Sequence, residues 1–174
     1  MTALAATAAE GSYTSNFVGA GDLDFRFGET ACNQTGEIAG LSVNADLTAS
    51  CALDVATMDF GITNQRISSD LDSRAQIYVS CSNKTAYSVV LDFGTHASDA
   101  TSTGRRMTNG AAMLHYGLFH SESRIDSWQL TAGILHNGLG SAFSQTLDIF
   151  GRVFGNQTLV PGQYSDRVVV VITY

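Results

Sequence analysis

Short stretches in which every second residue is apolar recur along this chain, and nowhere does a helical period last long enough to build a helix of useful length. In Leu41-Ser42-Val43-Asn44-Ala45-Asp46-Leu47-Thr48-Ala49-Ser50-Cys51 each odd position is small or apolar and each even position is polar, the pattern of a strand with one buried face. Ile77-Tyr78-Val79-Ser80-Cys81 repeats it, with Ile77, Val79 and Cys81 on one side. Further strands are expected up to Met58-Asp59-Phe60-Gly61, over Tyr87–Gly94, over Met113–Phe119, within Thr146–Phe154 and over Tyr164–Tyr174. Between them lie polar connections: Ile62–Arg74, whose Asp70, Asp72 and Arg74 read as a solvated loop, Thr95–Gly104, a loop carrying Trp128, and a Pro161-Gly162 turn. Seventeen glycines against one proline suit such turns. About seven short strands at this spacing predict an all-β fold, an antiparallel β-sandwich.

The chain has 174 residues, enough for one domain with a real core but cramped for two. Charged residues make up 14% and hydrophobic residues 44%, which excludes an intrinsically disordered chain. A net charge of −7 and the lack of any basic stripe argue against nucleic acid as a partner. The longest unbroken apolar run, Val168–Ile172, is far too short to cross a bilayer as a helix.

Residues 1–9, MTALAATAA, carry the small residues of a leader cleavage region, with Ala6-Thr7-Ala8 fitting A-x-A, but no basic or apolar segment ahead of them. They read as the remnant of a signal peptide, so that the mature chain begins near Ala9 or Glu10 and is exported. Cys32, Cys51 and Cys81 have no zinc-ligand spacing. Cys51 and Cys81 each lie on the apolar face of an alternating stretch, and a disulfide between them would contribute about 3–4 kcal/mol in an oxidising compartment. Cys32 is left as a buried thiol, an alternative partner or an intermolecular bridge.

The last strand, Val168-Val169-Val170-Val171-Ile172-Thr173-Tyr174, is apolar on both faces and is expected inside a sheet. No further strand follows it in the sequence, so its edge, with Val168, Val170, Ile172 and Tyr174 on one face, is expected to be open. An open apolar edge must be covered or used for assembly. Leu23-Asp24-Phe25-Arg26-Phe27, between Gly21 and Gly28, places Leu23, Phe25 and Phe27 on one face and has the form of a detachable strand that could add to such an edge. A first strand of a complete, self-contained sandwich would have the same pattern.

Catalysis finds little support. His96, His115, His120 and His136 have neither helical i, i+4 spacing nor a carboxylate pattern suited to a hydrolytic metal. His120, Glu122, Arg124 and Asp126 near Trp128 read as a solvated loop, and Gly138-Leu139-Gly140-Ser141 as a turn rather than a nucleophile elbow. No catalytic residue, cofactor or metal is expected, and the three Asn-x-Thr sequons decide nothing.

Six elements in order resemble the spore coat protein U domain family: Cys51-Ala52-Leu53 with Met58-Asp59-Phe60-Gly61, Val79-Ser80-Cys81 with Tyr87-Ser88-Val89, Arg105-Arg106-Met107, Leu114–Phe119, Trp128, and Pro161-Gly162-Gln163-Tyr164-Ser165-Asp166 before the terminal strand. The resemblance covers about Leu41–Tyr174 and implies a pilin subunit of an archaic chaperone–usher fimbria, an immunoglobulin-like sandwich lacking its last strand. It implies a periplasmic chaperone that lends the missing strand, an outer-membrane usher, and identical or related pilin subunits whose N-terminal segment replaces the loan, with roles in adhesion and biofilm formation. Residues 10–40 then form an N-terminal extension with the candidate donor strand and 41–174 the sandwich domain, with Tyr13–Val18 and Ile38–Val43 as rivals to Leu23–Phe27 for the donor. Alternatives are a secreted spore-coat or surface-coat structural protein, and a tip adhesin that binds through its exposed loops.

Overall fold

The computed structural model describes residues 8–18, 26–27, 30–31, 34–35, 40–62, 66–98, 104–128 and 136–174, with the side chains of 26–27, 34–35 and 136 excepted. Its regular elements are all strands: β1 (Gly11–Phe17), β2 (Arg26–Phe27), β3 (Gln34–Thr35), β4 (Leu41–Leu47), β5 (Cys51–Val55), β6 (Arg66–Ile67), β7 (Leu71–Cys81), β8 (Ala86–Leu91), β9 (Arg106–Thr108), β10 (Met113–Phe119), β11 (His136–Leu139), β12 (Ser144–Val153), β13 (Gln157–Thr158) and β14 (Val170–Thr173). They divide into two compact units, Ala9–Thr48 and Ala49–Tyr174.

The larger unit is a sandwich of two sheets, ordered β5-β7-β12-β10-β9 and β11-β8-β14. Alternation drives the packing. Ile77 and Val79 of β7, Tyr87, Val89 and Leu91 of β8, Leu114, Tyr116 and Leu118 of β10, and Leu147, Ile149 and Val153 of β12 turn inward to make one core with Trp128. In an immunoglobulin-type sandwich strands A, B, E and D form one sheet and C, F and G the other. Taken in chain order, β5, β7, β8, β10, β12 and β14 fill positions A to F, since β5-β7-β12-β10 reproduces A-B-E-D and β8-β14 reproduces C-F. Tyr164, shortly before β14, donates its hydroxyl to the Val160 carbonyl at 2.9 Å, the tyrosine-corner bond that marks the approach to strand F. Beside β14, where G belongs, no strand lies among the described residues.

Cys51 and Cys81 form a disulfide with their Cα atoms 4.1 Å apart. They face each other in the β5–β7 ladder at a non-hydrogen-bonded position, since the flanking Ser82 N–H donates to the Ser50 carbonyl at 2.9 Å. That is where antiparallel strands approach most closely.

Three expectations are corrected. The stretch Leu41–Cys51 is two strands in different sheets, β4 paired with β1 and β5 paired with β7, and β4 is exposed throughout rather than half-buried. Leu47 and Cys51 have the same parity, so the apolar period runs unbroken through the join and cannot reveal it. The loop expected over Ile62–Arg74 gives way to β7 at Leu71, which makes Asp72 and Arg74 strand residues. On the outer face, Arg152 grips Asp72 through two bonds of 2.7 and 2.9 Å, Arg124 lies 3.2 Å from Asp72, and Arg74 pairs with Asp148 at 2.5 Å. Hydrogen bonds from Arg152 and Arg74 hold the Asp72 and Asp148 carboxyls below their ordinary range. Pairs this exposed set register more than they add stability. Lastly, the strand expected over Tyr164–Tyr174 is confined to β14, Val170–Thr173, and β8 is the only strand paired with it among the described residues.

Candidate functional site

The main chain of β14 shows what its outer edge presents. The Asp92 N–H donates to the Val169 carbonyl at 3.0 Å, and the ladder runs Val170↔Leu91, Val171↔Val90, Ile172↔Val89, Thr173↔Ser88. Facing pairs in an antiparallel ladder alternate between bonded and non-bonded, so Val169, Val171 and Thr173 direct their backbone groups at β8. Val168, Val170 and Ile172 direct theirs away from it. The same three residues pack their side chains against the core. Tyr174, expected on that face, instead lies beyond the strand, is 57% exposed and is absent from the core cluster.

At the edge of the other sheet, β5 repeats the arrangement. The Ala56 N–H donates to the Gln76 carbonyl at 2.9 Å, which fixes residues 52, 54 and 56 as those bonded to β7 and leaves the backbone groups of Cys51, Leu53 and Val55 facing outward. After Val55 the chain runs across Gly151, where an added Cβ would strike Met58 and Phe60. Glycine there lets both side chains settle over the sheet, with Phe60 edge-on to Tyr116 at 6.4 Å between ring centroids.

Between these two edges lies a groove, seen as two adjoining cavities of ≈ 590 and ≈ 580 Å³. The first is walled by Val55–Phe60 and by Gln163–Val168 with Val170, and floored by Ala75, Leu91, Tyr116, Leu118 and Ile149. The second continues past Met58, Phe60, Met107 and Tyr164, which line both, toward Ile67, Leu114, Val153 and Leu159. The floor is the core itself. An extended segment laid here would find apolar pockets below it and outward-facing main-chain groups at both sides, the two requirements of strand addition.

One wall is set rigidly by polar groups. Asp166 has a side chain only 2% exposed and accepts hydrogen bonds from Tyr116 Oη at 2.7 Å, from the Thr95 N–H at 3.0 Å and from the Arg167 N–H at 2.9 Å. Ser165 and Thr108 exchange main-chain hydrogen bonds of 2.9 and 3.0 Å, so the segment entering β14 is pinned to β9. Burial first, and the bond to Asp166 second, push the Tyr116 phenol well above its usual range. Arg105 is fully buried, and its guanidinium donates to the carbonyls of Asp92 at 2.7 and 3.1 Å and Trp128 at 3.0 Å. Burial pulls its pKa down. It ties the end of β8 to the Trp128 loop behind the groove.

Of the residues expected from sequence, Cys51 and Cys81 are joined, Val168 and Val170 line the groove, and Ile172 packs against the core further along β14. Leu23 and Phe25 lie outside the described residues, and Phe27 is described only as backbone, paired with Gln34. Met58, Phe60, Met107 and Tyr164 were not expected as a binding surface. Their signal was the equal parity of Met58 and Phe60 after β5 and the Tyr164-Ser165-Asp166 sequence, in which Tyr164 makes the corner and Asp166 anchors the wall.

Comparison with known proteins agrees with this architecture. Over 150 residues the chain is 26% identical to "Protein U" of Myxococcus xanthus, a match covering 78% of this chain and 84% of the other. Among solved structures it is similar to one titled as the CsuC–CsuE chaperone–tip adhesion subunit pre-assembly complex from the archaic chaperone–usher Csu pili of Acinetobacter baumannii, at 21% identity and a TM-score of 0.55. That match covers 80% of this chain and 45% of the other, so the chain spans about half the length of its structural neighbour. The sequence profile of the Spore Coat Protein U domain matches residues 37–171, and the chain therefore belongs to the Spore Coat Protein U domain family.

Proposed function

We propose that this protein is a structural, non-catalytic subunit of a surface fimbria, exported through the periplasm and joined to its neighbours by donor-strand exchange. The observation that carries the reading is the groove between β5 and β14, with core side chains as its floor and the backbone groups of Val168 and Val170 turned toward it. A subunit in this state needs a strand from another chain. A periplasmic chaperone supplies it first, and the N-terminal segment of an identical or related subunit replaces it at an outer-membrane usher. The similarity to a chaperone-bound pilus subunit supports the partner class, and the Cys51–Cys81 disulfide supports an oxidising compartment on the route.

The test is gel electrophoresis in SDS without boiling, on the periplasmically expressed chain beside a version lacking residues 10–48. A detergent-resistant ladder that disappears with the deletion is the expected result. A monomer band from the intact chain, with its disulfide formed, would overturn the reading. The family description favours a second reading, a surface-coat structural protein. Immunogold labelling of cells separates the two, as fibres support the fimbria and a continuous layer supports the coat.

A further inference from the structure

The Ala9–Thr48 unit contains a feature that donor-strand exchange does not itself require. β1 and β4 pair along their whole lengths, Gly11↔Leu47 through Phe17↔Leu41. Opposite residues share a face, so the ribbon has a wholly polar side, Ser12, Thr14 and Asn16 against Asp46, Asn44 and Ser42. Ser12 Oγ donates to Asp46 Oδ1 at 2.6 Å and Ser42 Oγ to Asn16 Oδ1 at 2.7 Å. The other side gathers Tyr13 and Phe17 with Leu41, Val43, Ala45 and Leu47, and Leu41 and Val43 are 50% and 51% exposed.

The two strands are not equivalent. At its alternate positions β4 offers Leu41, Val43, Ala45 and Leu47, an unbroken apolar row, whereas Gly11 and Ser15 interrupt the row in β1. β4 lies within the stretch that matches the family profile, residues 37–171, and β1 lies outside it. The apolar row of β4 and the groove have complementary needs, side chains in search of cover and core in search of side chains. What β1 gives β4 is main-chain pairing along one edge, which blocks indiscriminate strand addition. A two-stranded ribbon is marginally stable in water, so such a cover is removable.

We propose that β1 is a removable cover for β4, and that β4 is the strand which fills the groove of a second copy of this chain. The proposal rests on the assembly reading above. Because β4 must leave β1 before it can enter a groove, only the uncovered fraction of the chain is competent to donate, and the apparent rate and affinity of assembly fall by that fraction.

The test follows ladder formation with time for the full chain, a Gly11–Phe17 deletion, Val43→Asp and Phe25→Asp. Formation of the Cys51–Cys81 disulfide, read from mobility without reductant, reports that the sandwich has folded in each. Deleting β1 is expected to speed assembly about tenfold if the uncovered state is a tenth of the population. Val43→Asp is expected to abolish the ladder and Phe25→Asp to leave it intact. A deletion that leaves the rate unchanged overturns the cover, and one that abolishes assembly makes β1 the donor. A ladder lost with Phe25→Asp and kept with Val43→Asp overturns the assignment of β4 while leaving polymerisation standing. No ladder from the full chain and from every variant, with the disulfide formed, overturns polymerisation and this proposal with it.

Discussion

Tyr116 holds together two features that are far apart in sequence, the floor of the groove and the entry to its edge strand. Its ring packs in the core while its hydroxyl donates to Asp166. The phenol's ordinary pKa is 10.0, and burial with the Asp166 bond raises it. A group whose folded pKa is raised contributes stability that is complete below its unfolded value and is lost as pH rises toward the folded one. The wild-type chain should therefore lose stability above about pH 10, and Tyr116→Phe should flatten that limb while costing about 1–2 kcal/mol at neutral pH for the lost bond. Thermal midpoints measured from pH 7 to 12 check both, and equal alkaline slopes would refute the assignment. Arg105 was the residue least legible in the sequence. Its burial depends on carbonyls from Asp92 and Trp128 converging on one point, and no local pattern encodes that convergence.

At the scale of elements, the backbone register of β14 gives a prediction that side chains alone would not. The N–H of Val170 faces the groove and that of Val171 faces β8. Proline on an edge strand is tolerated where its missing N–H points outward. Val170→Pro should leave the subunit folded and weaken assembly, whereas Val171→Pro should break a ladder bond and destabilise the subunit by about 1–3 kcal/mol. Urea midpoints and the ladder assay separate the two, and similar behaviour of both variants would show the register to be wrong. The strands themselves were readable wherever one face is apolar and the other polar, as in β7, β8 and β12. Two kinds of information were not. The change of sheet between β4 and β5 preserves parity, so hydrophobic period carries no trace of it. In and just before β14, Val at every position from 168 to 171 hides which face is buried, and only pairing with β8 decides. The groove was legible as an open edge but not as a space, since its opposite wall, Met58 and Phe60, comes from more than a hundred residues earlier in the chain.

For the molecule as a whole, an open core means that stability depends on what occupies it. A peptide matching residues 40–49, added to the Gly11–Phe17 deletion variant blocked by Val43→Asp, should stabilise the sandwich by mass action, by about 2.7 kcal/mol at a hundred times its Kd. For a chain of this size that is a rise of roughly 5–10 °C in the unfolding midpoint. A scrambled peptide of the same composition should give none, and an equal rise with both would mean the groove does not read sequence. If β4 is the donor, its contact with a neighbour's groove is heterologous, which builds open filaments rather than closed rings when the rotation does not close.

The disulfide at the first residue of β5 has a mechanical consequence. Only Thr48, Ala49 and Ser50 separate β4 from Cys51. If β4 is seated in a neighbour, tension along the filament reaches this subunit at Cys51. Without a cross-link that pull would peel β5 from the sheet one hydrogen bond at a time. With it, the load passes through sulfur to Cys81 at the end of β7, the strand held by both β5 and β12. The bond thus makes the linker and the interior of the sandwich one continuous load path, and a reduced filament should yield at lower force by unzipping at its weakest edge.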